Sequence, residues 1–216
     1  KGLTAMNTRE DDFVENLFVT STHDYIMFFT NTGKAFRLKA YELPEASRIS
    51  KGTAIVNLLQ LAQGEKIAAV MPVKNYNDDL YVLMATSHGL IKRTKLSEYS
   101  NIRKSGIQGI TLKEGDELID VRLTDGTNDI VMVTRQGLSI RFPEDEVRAV
   151  GRTSMGVKGI SLLKDDKVIG MEPIKSDKDY ILAITENGFG KRTEVEEYRR
   201  QGRSGKGILT YKTTSK

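Results

Sequence analysis

Apolar residues along this chain come in runs of four to six, separated by glycine-marked turns, and few stretches read as helix. Four runs, residues 25–29, 80–85, 130–133 and 180–184, are rich in β-branched and aromatic side chains and read as strands. Each leads into the same signature, T-x-x-G-x-x-x-R, at Thr30–Gly33–Arg37, Thr86–Gly89–Arg93, Thr134–Gly137–Arg141 and Thr185–Gly188–Arg192. The glycine supplies the positive φ of a tight turn, and residues such as 34–38 and 90–93 form a second short strand. Each signature therefore predicts a β-hairpin. The glycines lie 56, 48 and 51 residues apart, so the chain is an internal repeat.

A second motif follows 19 to 22 residues beyond each of those glycines. It is a polar, basic loop closing on Lys-Gly or Gln-Gly at 48–52, 103–109, 152–159 and 203–207, and the chain opens on an orphan Lys1-Gly2. Each closing glycine leads into an apolar segment expected to be a strand, at 53–59, 110–112, 160–163 and 208–210. Acidic turns follow, such as Gly115-Asp116-Glu117 and Asp165-Asp166, with Glu10-Asp11-Asp12 near the start, and then strands at 118–123 and 168–174. Phased on the closing glycines, the repeats are 3–52, 53–109, 110–159 and 160–207, and 208–216 begins another. Single helical turns are expected at 40–43, 96–99, 144–147 and 194–198. Four short strands per unit of about 50 residues predict an all-β, propeller-like architecture with about four full repeats in one domain.

Composition narrows the function. The 216 residues can bury a sizeable core, and the net charge of +4 is too weak to name a partner by itself. Without cysteine there is no disulfide framework, no thiolate metal site and no cysteine nucleophile. That absence fits a cytoplasmic protein, and no apolar run approaches a membrane span, so no membrane partner is expected. The first residue is Lys1 rather than Met, as in a fragment excised from a longer chain. The distribution of charge says more. From hairpin glycine to closing glycine the four segments carry +3, +4, +1 and +3, leaving −7 for everything else. Basic charge is segregated into the same part of every repeat, and in a radial array that predicts a belt suited to a polyanion that wraps.

The glycine-rich basic loops, with runs such as M-N-T-R-E-D-D-F-V and T-E-N-G-F-G-K-R-T, resemble the C-terminal domain of the DNA gyrase A subunit across the whole chain. That resemblance implies a β-pinwheel, a propeller-like fold of usually six four-stranded blades with strands exchanged between neighbours. It implies duplex DNA wrapped round the outer rim, supporting ATP-dependent negative supercoiling by a bacterial type II topoisomerase. The remainder of the A subunit and the gyrase B subunit are then the protein partners, and the isolated domain is expected to be a monomer. ATP and Mg belong to other regions of the parent, so the domain itself is expected to be non-catalytic and without a cofactor. The family's box, Q-R-R-G-G-K-G, is matched at its last two positions by Lys1-Gly2 and at five of seven positions by Gln201–Gly207. A related alternative is the topoisomerase IV A-subunit domain; one of another class is a propeller for protein–protein recognition.

On this reading the DNA-binding residues are Lys1, Lys34, Arg37, Arg48, Lys51, Lys92, Arg93, Arg103, Lys104, Arg141, Arg152, Lys158, Lys191, Arg192, Arg200, Arg203 and Lys206. Arg and Lys supply charge to phosphates, and glycine loops allow close backbone approach. Arg141, beside Glu144, Asp145 and Glu146, marks the weakest repeat. The acid pairs Asp11-Asp12 and Asp165-Asp166 recur at strand-entry turns, their ordinary place, and are not read as catalytic or metal-binding. His23 and His88 have no metal-ligand spacing. Gly202–Lys206 lacks the spacing and the Ser or Thr of a phosphate loop. Tyr41, Tyr99 and Tyr198 recur after the hairpins and read as packing residues.

Overall fold

The T-x-x-G signature is a turn with two locks. In the computed structural model, which describes residues 14–47 and 49–212, the four hairpin glycines have φ between 81° and 84°. Each glycine amide donates to the carbonyl of its signature threonine at 2.9–3.0 Å. The threonine hydroxyl in turn accepts the amide that follows the glycine, at 3.1–3.2 Å. Threonine suits the strand before the turn by its branched side chain and the turn itself by its oxygen.

The strands, in chain order, are β1 (Tyr25–Thr30), β2 (Lys34–Lys39), β3 (Ile67–Val73), β4 (Tyr81–Thr86), β5 (Leu90–Lys95), β6 (Ile107–Gln108) and β7 (Leu118–Thr124). They continue with β8 (Asp129–Thr134), β9 (Leu138–Pro143), β10 (Val157–Lys158), β11 (Val168–Ile174), β12 (Tyr180–Ile184), β13 (Gly190–Glu194) and β14 (Ile208–Leu209). Three antiparallel sheets have the orders β3-β1-β2-β6, β10-β5-β4-β7 and β11-β8-β9-β14, and β12-β13 form a hairpin sheet. We call these sheets A, B, C and D. Each four-stranded sheet is a hairpin flanked by the long strand that follows it and by a two-residue strand arriving from the far side of the next hairpin. The fold is all-β and pinwheel-like, because strands cross between neighbouring sheets.

Strict alternation makes each hairpin face two neighbours. Met27 and Phe29 of sheet A meet Val82 and Met84 of sheet B. Leu83 and Ala85, on the other side of sheet B, meet Ile130 and Met132 of sheet C. Val131 of sheet C then meets Ile181 of sheet D. Leu182 and Ile184, which correspond to Leu83 and Ala85, are each 64 % exposed. The free face of sheet A, with Ile26, Phe28 and Phe36, is covered by Leu58, Leu59 and Leu61.

β7 lies against both β3 and β11, so the sheets converge along these three strands. The two-residue strands β6, β10 and β14 form the opposite, outer edges.

Three expectations are corrected. Residues 53–59 contain a 3-10 turn, Ile55–Asn57, rather than a strand, because their leucines cap sheet A. Residues 110–112 and 160–163 are not strands either; pairing is confined to β6 and β10, just before the closing glycines. The chain turns away there because Gly109 and Ile110 both donate to Gly33 O, at 2.7 and 3.2 Å, as Gly159 and Ile160 do to Gly89 O. Finally, Gly207 is out of phase with Gly109 and Gly159. Thr210 makes the bond to Gly137 O, and Gly207, with φ of 76°, takes the place of Gly106 and Gly156. The expected helical turns are present as short 3-10 turns, and among the described residues no helix is long and apolar enough to cross a membrane.

Candidate nucleic-acid interface

The arginine of T-x-x-G-x-x-x-R sits on the second hairpin strand and reaches towards the next hairpin. Arg37 Nη1 donates to Ser100 O at 2.5 Å, while its guanidinium lies 4.5 Å from the Tyr25 ring centre. Arg93 stacks at 4.7 Å on Tyr81 and is 3.7 Å from the buried Glu144 carboxylate. Arg141 is buried. It donates to Asp129 at 2.7 Å, to Val195 O at 3.0 Å and to Tyr198 O at 3.3 Å, and also pairs with Asp177. Burial works against its charge, but Asp177 and Asp129 outweigh that and raise its pKa. Arg192 stacks at 4.5 Å on Tyr180 and stays exposed. A guanidinium is well suited to such a latch, since it forks between acceptors and lies flat on a ring.

Lys92 is likewise internal. It is fully buried, and its Nζ donates to the carbonyls of Gly109 and Arg152. Lys92 and Arg141 are thus corrected: neither offers a charge to a phosphate, because both are buried and their donors are spent on carbonyls and, for Arg141, on the Asp129 and Asp177 carboxylates. Lys1 and Arg48 lie outside the described residues.

The exposed candidates gather on the approaches to the outer edges. Arg103 and Lys104 precede β6 on sheet A, Lys158 is within β10 on sheet B, and Lys206 precedes β14 on sheet C; all four are exposed. Arg152 and Arg203 occupy equivalent, half-buried places in the loops leading to β10 and β14. Their backbone amides donate to Glu98 at 2.8 Å and Glu146 at 2.7 Å, and their guanidinium groups hold the carbonyls of Gln108 and Lys158. They anchor the loops that carry the free charges. Lys34 is half-exposed and 3.9 Å from Glu65. Lys51 and Lys191 are exposed, the latter 5.5 Å from the Tyr211 ring, and Arg200 donates to Asp129 at 2.6 Å from an exposed position.

The sequence model of the family described as "DNA gyrase C-terminal domain, beta-propeller" matches residues 1–21, 24–74, 80–125, 128–175 and 179–216. The chain belongs to this DNA gyrase C-terminal domain family. The DNA gyrase A subunit of Clostridium acetobutylicum is 53% identical over 216 residues, all of this chain and 26% of that protein. The chain thus spans about a quarter of the length of that relative. Among solved structures, a C-terminal domain of DNA topoisomerase IV aligns at 32% identity and TM-score 0.80, over 87% of this chain and 58% of the other. A DNA gyrase A C-terminal domain aligns at 26% identity and TM-score 0.74, over 88% and 60%.

In this gyrase-family domain the acidic turns are pins. The buried Asp116 carboxylate accepts Ser87 Oγ and the His88 amide, each at 2.9 Å, and Asp166 accepts the Gln136 amide at 2.9 Å. Glu65 does the same for sheet A, accepting Thr30 Oγ1 at 2.6 Å and Thr32 Oγ1 at 2.7 Å. Each pin joins a long strand's entry to the hairpin turn it flanks. Tyr99 and Tyr198 are buried as expected, whereas Tyr41 is 62% exposed. Tyr41 stands two places too early: Leu43 closes its 3-10 turn on Ala40 as Tyr198 does on Val195. The pair Asp11-Asp12 lies outside the described residues. Arg148 and Arg199, exposed at equivalent places after the 3-10 turns, were not among the expected DNA-binding residues. Their common distance of 11 residues from Gly137 and Gly188 was the available signal.

Proposed function

We propose that this chain is a non-catalytic domain that binds duplex DNA along its outer edges and bends it. One observation carries the reading: exposed basic side chains recur at the outer edge of three successive sheets, and those of Arg103, Lys104, Lys158 and Lys206 have no partner among the described residues. Phosphates attract such charges without base specificity. Bending 20–30 base pairs by 40–90° costs about 1–6 kcal/mol, so many dispersed contacts suit the task better than one pocket. Family membership supports the setting. The parent is a gyrase A subunit acting in the cytoplasm with the gyrase B subunit, ATP and Mg are used elsewhere, and the wrap supports negative supercoiling. Identity along the whole of this chain to DNA gyrase A subunits favours this over topoisomerase IV.

The test is binding of the chain to a short and a long duplex across a salt series, with plasmid relaxed and religated in its presence. Expected are tighter binding to the long duplex, a slope of log K against log salt near −9 if about ten phosphates are neutralised, and a change in plasmid linking number. Flat, weak binding to both duplexes would sink the reading and favour protein recognition instead.

A further inference from the structure

At the place in the hairpin where sheet A has Phe36 and sheet C has Ile140, both buried and apolar, sheet B has the fully buried Lys92. Nothing in the packing of a pinwheel sheet asks for an amine there. Burial pushes the Lys92 pKa down to about 7; Glu98 acts to raise it and Arg152 to lower it further.

The two carbonyls that Lys92 joins belong to consecutive outer loops. Gly109 O ends the segment carrying Arg103 and Lys104, and Arg152 O lies in the segment carrying Lys158. Around this tie, Thr111 Oγ1 donates to Thr153 O at 2.6 Å, and Tyr99 Oη donates to Gly109 O at 3.0 Å. One joint further on, where Ile140 replaces the lysine, the backbone makes the tie instead. Gly159 O accepts the Ser204 amide at 2.8 Å, with Ser204 held at a left-handed φ of 70°. Both joints share a main-chain bond, Thr111 N to Ser154 O at 3.4 Å and Ser161 N to Gly205 O at 2.8 Å, but the closing-glycine carbonyl is tied by the Lys92 side chain in the first and by the Ser204 amide in the second.

We propose that Lys92 is a positioning residue for the DNA interface, fixing the loop of Arg103 and Lys104 relative to the loop of Arg152 and Lys158 so that both present to one duplex. This rests on the DNA-binding reading above. A charged ammonium makes stronger hydrogen bonds to carbonyls than a neutral amine. The tie is tightest at low pH and slackens as Lys92 loses its proton, with Glu98, Tyr99 and Arg152 the ionisable groups that face it.

The experiment compares the chain with Lys92→Ile, the residue sheet C uses, by duplex binding at pH 6 and 8.5 at constant salt. Amide exchange is followed at Thr111 and Arg152, and Lys74→Met, at an exposed lysine, corrects for the lost charge. Expected is wild-type affinity falling several-fold between the two pH values. Lys92→Ile should bind several-fold more weakly at pH 6, show a flattened pH profile, exchange faster at both amides and melt no lower. A folded Lys92→Ile chain with wild-type binding and exchange overturns the inference and leaves the DNA reading standing. Should the variant fail to fold, a pH-independent wild-type affinity overturns it equally. A wild-type chain that binds no duplex at either pH overturns both.

Discussion

At the scale of single residues, the same side-chain type does opposite work according to depth. Arg141 is buried against Asp129, so Arg141→Ala leaves that carboxylate only Arg200 and takes the guanidinium donor from Val195 O and Tyr198 O. We expect a loss of about 3–5 kcal/mol in a denaturant titration, with duplex affinity of the folded variant unchanged. Lys92 has its own pH signature. Its pKa is 10.5 unfolded and about 7 folded, so between those values the unfolded chain binds more protons. Stability from this group therefore rises with pH across that window and is flat below it, a trend that melting curves should lose in Lys92→Ile. Gly137 and Gly188 share one turn conformation but not one environment. A Cβ on Gly137 would sit 1.9 Å from Tyr211 O, whereas Gly188 has open space. Gly188→Ala should cost about 1–2 kcal/mol for the left-handed φ alone, and Gly137→Ala clearly more, as read by thermal melting.

At the scale of elements, the hairpins were legible because their signal is local. Threonine, glycine and the alternating runs act within a few residues, and the strand starting at Tyr180 falls where the pattern put it. Of the two-residue strands, β14 lies within the expected 208–210, whereas β6 and β10 were not legible. What decides β6 is that Gly33 O lies ready to take two amides from a segment over 70 residues later, and no local composition encodes that encounter. The acidic turns were recognised but not their use. Asp166→Asn keeps the shape and exchanges a charged acceptor for a neutral one at the Gln136 amide. We expect a loss of about 1–2 kcal/mol, and exchange of the Gln136 amide should quicken more than that of amides in β8.

At the scale of the whole molecule, charge segregation was visible in the sequence as a sum, while the members of the belt were not. Reversing Arg103, Lys104, Lys158 and Lys206 to Glu should weaken duplex binding strongly and flatten the salt slope by about 0.9 for each phosphate no longer neutralised. The melting temperature should stay close to wild type, since these side chains touch nothing inside. The sequence by itself determined the repeat, the all-β class, the hairpin positions and the excess of basic charge in one part of each unit. These follow from periodicity and turn chemistry, which act over a few residues. Tertiary structure alone decided which basic groups are spent on carbonyls and carboxylates of the next sheet and which face solvent. Arg141 and Arg192 occupy one place in one motif, yet the first is buried against Asp129 while the second is exposed. Burial depends on the neighbour that arrives from a distant part of the chain, and that neighbour is set by packing rather than by local pattern.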